Sequence, residues 1–231
     1  MSDRIVSDSA VTDGMRVTML SGSFEYDSED SLTVLVGYLR ENAPDIDSHL
    51  IAYQTESDVH SLGVLEEETD VLLVFTRRLT MVGPELERIR QYCAAGKPVV
   101  GIRTASHAFQ QWLEFDPQIL GGNYDGHFSS GPLCHVEEVA ADSEVLNGVV
   151  PFTSHGSLYR TSPLAADARV LLNGRTEEHM EPAAWTRSPA EGGRVFYTSL
   201  GHQKDFWELD FLRLIENALL WAGGRAPSTR P

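Results

Sequence analysis

Short apolar blocks alternate along the chain with longer stretches whose apolar residues recur at three- and four-residue spacing. The blocks at residues 15–20, 48–53, 70–75 and 99–102 have strand length. The block at 70–75, Asp-Val-Leu-Leu-Val-Phe, is almost continuously apolar, as expected of a strand covered on both faces. Leu32, Leu35, Val36 and Leu39 lie on one helical stripe, opened by the acidic residues 27–30 and closed by Asn42-Ala43-Pro44. A second helix is predicted from Pro84, with Leu86, Ile89 and Cys93 at helical spacing and Gly96 as its stop. Strands that alternate with helix-length segments predict a doubly wound α/β fold, a mostly parallel sheet with helices on both faces.

After residue 115 the texture changes. Residues 121–128, Gly-Gly-Asn-Tyr-Asp-Gly-His-Phe, read as a loop or edge piece. Strands are expected at 134–139, 169–172, 183–186 and 195–199, a short helix at 143–148, and a closing helix at 206–221. The polar residues 1–14 and the stretch 224–231 read as loose tails around a single domain, 15–223.

The stretch Lys97 to Trp112 draws attention because it predicts a strand, a tight turn at Arg103-Thr104 and a following helix marked by Ala105, Ala108, Phe109 and Trp112. Open α/β sheets place ligand sites at such turns, beyond the carboxyl ends of the strands. Two further polar loops follow predicted strands: residues 21–26, with Glu25 and Tyr26, and residues 201–205, with His202 and Asp205. If their strands are parallel, all three loops face one crevice.

Composition narrows the choices. A formal charge of -16 argues against nucleic-acid binding, and the Arg77-Arg78 doublet is isolated enough to read as helix-capping or surface. Two cysteines make no disulfide framework and read as small apolar residues in a reduced interior. With no apolar run of membrane-spanning length and no leader pattern, a cytoplasmic protein that neither enters nor binds a membrane is expected. The eight histidines show no metal-ligand spacing, so no metal is assigned, and no cofactor is identified. There is no Gly-x-Ser-x-Gly elbow, neither cysteine stands in a nucleophile turn, and no phosphate-loop motif occurs.

Residues 101–107, Gly-Ile-Arg-Thr-Ala-Ser-His, resemble the nucleophile turn of class I glutamine amidotransferases, Gly-x-Cys-x-Gly-x-Gln, with Arg103 at the cysteine, Ala105 at the second glycine and His107 at the glutamine. Residues 195–202 resemble the strand that delivers that family's histidine, but the acid falls one residue late, at Asp205. The closer resemblance is to ThuA-like (trehalose utilisation) proteins, which keep the amidotransferase fold without its cysteine. It spans residues 15–223 and includes Ser21 to Ser28, Arg103 to Phe109, Gly121 to His127, residues 155–159, 181–185 and 193–206, and the closing 217–222.

The resemblance implies a sugar or sugar-like ligand and no glutaminase activity. On the residues, Arg103 is expected to stabilise negative charge and His202 to act as general acid or base, with Asp205 beside it. Glu25, Thr104, His107, His127 and His155 are expected to bind ligand, and Tyr26 and Trp185 to stack on a sugar ring. If the protein is an enzyme, hydrolase- or isomerase-like chemistry without a thiol is expected. The alternative is a non-catalytic binding or assembly module on the same scaffold. A homo-oligomer is compatible with the sequence.

Overall fold

A computed structural model describes residues 14–128, 133–189 and 192–227. The expected tail at 1–14 falls outside these residues except for Gly14, as do the last four residues. Nine strands form one sheet in the order β2-β1-β3-β4-β9-β8-β7-β5-β6. They are β1 (Met15–Gly22), β2 (Ile46–Ala52), β3 (Val71–Thr76), β4 (Val99–Ile102), β5 (Cys134–Glu138), β6 (Thr153–Ser154), β7 (Arg169–Arg175), β8 (Met180–Arg187) and β9 (Val195–Thr198). Strands β2, β1, β3, β4 and β9 run parallel, and β8, β7, β5 and β6 continue the sheet antiparallel.

The parallel half is sealed on both faces. Along β3 the residues alternate between two cores: Val71, Leu73 and Phe75 face one, Leu72 and Val74 the other. The first core is closed by α1 (Ser28–Asn42) through Leu32, Leu35 and Leu39, and by α4 (Leu209–Ala222) through Phe211, Leu214, Ile215 and Leu219. The second is closed by the short α2 (Val64–Glu67) through Leu65 and by α3 (Pro84–Ala94) through Leu86 and Ile89. Each such fully buried side chain contributes about 1.5–3 kcal/mol of transfer free energy, which explains why β3 reads as an unbroken apolar run.

Two expectations are corrected. The turn after β4 leads into a single 3-10 segment, Arg103–His107, and not into a helix. The backbone beyond it pairs sideways: Leu79 N donates to Ala108 O, and Gln110 N donates to Leu79 O. The helical spacing of Ala105, Ala108, Phe109 and Trp112 has another origin, since all four pack in the second core, where Phe109 and Trp112 meet Phe115. The short helix expected at 143–148 is a 3-10 turn, Glu144–Leu146.

Among the described residues, no helix is long and apolar enough to cross a membrane.

Candidate functional site

The loops after β1, β4 and β9 meet at the carboxyl edge, as parallel pairing requires. Backbone strain concentrates there. Asp27 (φ 42), Arg78 (φ 52) and Arg103 (φ 45) are left-handed non-glycine residues that follow β1, β3 and β4, and Gly201 (φ 113) follows β9. Each left-handed non-glycine residue costs on the order of 1 kcal/mol or more, and such residues cluster at functional sites.

Arg103 is only 1% exposed. Its Nη1 donates to Ser199 O at 2.6 Å, and its Nη2 reaches Ser157 O and Oγ, both at 3.3 Å. The guanidinium carbon lies 4.6 Å from the centre of the Tyr26 ring and 4.5 Å from that of Tyr159, a desolvated cation between two aromatic rings. The backbone carbonyl of Arg103 accepts from Tyr197 OH at 2.7 Å. The arginine at the nucleophile position is thus a buried joint. It ties β9 to the 156–159 segment and holds two tyrosines, while its Nε is buried without a hydrogen-bond partner among the described residues.

The rings continue on both sides of this joint. Tyr26 meets His202 edge-on at 5.9 Å, and His202 lies 6.2 Å from His155. On the other side Tyr159 packs against Tyr124 at 4.7 Å, and Tyr124 stacks on His107 at 4.5 Å. The row His155–His202–Tyr26–Arg103–Tyr159–Tyr124–His107 crosses the carboxyl edge. Its middle is buried, while both ends and the rim of Tyr26 and Tyr124 are partly open.

Two histidines of the row, His202 and His107, have ring nitrogens tied to fixed partners. His202 Nδ1 accepts from Lys204 N at 3.2 Å, so the neutral ring carries its hydrogen on Nε2 and offers a donor. Burial, chiefly, lowers its pKa, with Arg103 adding to the shift, so the neutral form prevails. His107 Nδ1 lies 3.1 Å from Ser106 Oγ, which also reaches Arg103 O at 3.3 Å. If the Ser106 hydroxyl donates to Arg103 O, His107 carries its hydrogen on Nδ1 and offers Nε2 as an acceptor. Burial and the charges of Arg77, Arg78 and Arg103 push the His107 pKa down to about 3.

Asp205 is fully buried. It accepts from Ser154 Oγ at 2.6 Å and from the backbone N–H groups of His155, Gly201 and His202, each at 3.0 Å. Its oxygens are filled by these bonds, and the imidazole that approaches it is that of His155, with Nδ1 3.7 Å from Oδ1, and not that of His202. The expected acid–base pair is therefore replaced by a clamp that fastens the β9 loop to the segment at 154–155. A neutral His202 whose Nδ1 is capped has no free lone pair with which to act as a base.

Two other expected contacts, Trp185 and Thr104, are also revised. Trp185 is 0% exposed, donates to Leu120 O at 2.7 Å and packs on Tyr197, so it belongs to the core and not to a ligand platform. Thr104 is buried beneath the site. Glu25 is exposed and paired to Arg77 Nη1 at 2.9 Å. His127 is exposed at the rim, with Nδ1 on Phe128 O and its ring 6.5 Å from Tyr159. The structure also brings in residues to which the sequence alone assigns no site role: Tyr124 and Tyr159 in the row, Ser157 on the Arg103 guanidinium, and Arg77-Arg78 at the end of β3. The doublet follows a buried parallel strand, as the three recognised loops do, and that placement was the available signal.

Burial raises the thiols of Cys93 and Cys134 to about 12 and about 11, so neither supplies a thiolate. Among the described residues, no group of three or more His, Cys, Asp or Glu is placed to hold a metal ion.

The architecture is that of the class I glutamine amidotransferase-like α/β proteins. A glutamine amidotransferase from Thermotoga maritima superposes with a TM-score of 0.56 over 90% of this chain and 98% of its own, at 13% identity. The chain belongs to the ThuA family, trehalose utilisation, whose model matches residues 16–222. ThuA-like proteins from Parabacteroides merdae (TM-score 0.70, 16% identity, 94% of this chain and 93% of that one) and Bacteroides uniformis (0.68, 16%, 92% and 94%) share the fold. No curated protein matches the chain in sequence.

Proposed function

We propose that this ThuA-family chain binds a small polar ligand, a sugar or sugar derivative, across the carboxyl edge of its sheet. The observation that carries the reading is the ring row itself, with a fixed donor near one end, His202 Nε2, and His107, assigned as an Nε2 acceptor, at the other. Sugars present apolar C–H faces ringed by hydroxyls, and each hydroxyl both donates and accepts. Aromatic rims flanked by fixed polar atoms of both kinds suit that chemistry. The family's description, trehalose utilisation, supports carbohydrate metabolism as the setting.

The filled oxygens of Asp205 and the capped Nδ1 of His202 favour binding over proton transfer by this pair, which is the second reading, a binding module without turnover. A thermal-shift screen of the full chain against mono- and disaccharides, sugar acids and divalent metals tests the proposal. A ligand at one hundred times its dissociation constant stabilises the folded state by about 2.7 kcal/mol and raises the midpoint. A shift with a sugar, lost in His107→Ala or His202→Ala, supports the site. Silence across the panel points instead to a protein partner.

A further inference from the structure

Hydroxyl recognition leaves one property of this edge unused, its charge. The chain carries -16 overall, yet Arg77 and Arg78 follow β3 and Arg103 follows β4. Arg103 is enclosed by Ser199, Ser157 and the two tyrosines. Arg77 is answered by Glu25, but among the described residues its Nε is buried without a partner. Arg78 is exposed and makes no ion pair among the described residues. Its backbone is held at φ 52, with its N–H donating to His107 O at 2.9 Å. A strained loop therefore keeps an unneutralised guanidinium beside the His107 end of the ring row. Burial is the chief cause of the depressed pKa of His107, and Arg77, Arg78 and Arg103 lower it further.

We infer that Arg77 and Arg78 form an anion subsite next to His107, so that the ligand of this edge carries a carboxylate or phosphate on a hydroxylated body. The inference rests on the small-molecule site proposed above and names the class of its ligand. Guanidinium forks match planar and tetrahedral oxyanions. A local positive potential on an acidic protein concentrates anions that the net charge alone would repel.

Calorimetric titration of the full chain with glucose, gluconate and glucose 6-phosphate tests it. The expected result is that gluconate or glucose 6-phosphate binds at least about tenfold tighter than glucose. Whichever anion wins identifies the head group. Arg78→Gln should weaken that anion about 10- to 100-fold, as loss of a charge-assisted hydrogen bond implies, while Arg40→Gln, at the end of α1, changes nothing. Glucose binding as tightly as both anions, or anion affinity unchanged in Arg78→Gln, overturns the anion subsite and leaves the sugar site standing. No binding by any of the three overturns both.

Discussion

Gly156 passes so close to Arg103 that a Cβ added to the glycine would stand 2.5 Å from Nη1 and 2.7 Å from the guanidinium carbon. The contact is possible because the glycine has no side chain, and it cannot relax because the guanidinium is held by Ser199, Ser157 and two aromatic rings. Gly156→Ala should therefore destabilise the fold by about 1–3 kcal/mol, the usual effect of overpacking a closed interior. A denaturant melt checks this, and a variant as stable as the parent would show that the guanidinium is free to move.

Arg103 itself should behave as a structural joint. Arg103→Lys keeps the charge but loses the planar fork that reaches Ser199 and Ser157 while lying between two rings. A loss of about 2–3 kcal/mol is expected, since hydrogen bonds of charged groups and desolvated cation–π contacts are each of order 2 kcal/mol. Unchanged stability with lost ligand binding would instead mark Arg103 as a direct contact.

His107 should stay neutral across the physiological range. Its folded pKa of about 3 lies below the unfolded value near 6.5. Its contribution to stability is thus present above pH 6.5 and is lost as pH falls toward 3. In a histidine NMR titration its ring signals should hold constant between pH 5 and 8. A midpoint near 6.5 would remove the argument that His107 Nε2 is a permanent acceptor.

Asp116 has the opposite sign. It is buried with one oxygen on Tyr124 N and the other without a partner among the described residues, and burial raises its pKa to about 6. The folded state then holds the proton more tightly than the unfolded chain, near 3.9, so this group's contribution falls as pH rises from 4 to 6, by about 2–3 kcal/mol. The stability of the parent minus that of Asp116→Asn should decline over that range and flatten above it. A difference independent of pH would contradict the assignment.

How legible was this in the sequence? The parallel half was readable because β3 and the stripe Leu32, Leu35, Leu39 obey local periodicity, and because α3 starts at a proline and stops before a glycine. The three loops could be placed because each follows its strand directly. The false helix after Arg103 shows where periodicity fails: Phe109 and Trp112 recur at helical spacing to fill one core, while their backbone pairs with residue 79. Trp185 misleads because an aromatic residue reads the same in a core and in a crevice. The partners that bury Arg103 lie 54 to 96 residues away, beyond any local pattern. So do two of the four donors that fill Asp205, from residues 154 and 155, while the other two, at 201 and 202, are its chain neighbours.

The central claim is that the ring row across the carboxyl edge is the ligand site. The most direct measurement is a side-chain NMR titration of histidine-labelled protein with the strongest ligand from the thermal screen. The account predicts that His107, His155 and His202 shift together, while His49 on β2 and His135 on β5 stay fixed. Shifts at His49 or His135, with the three row histidines unmoved, would contradict it.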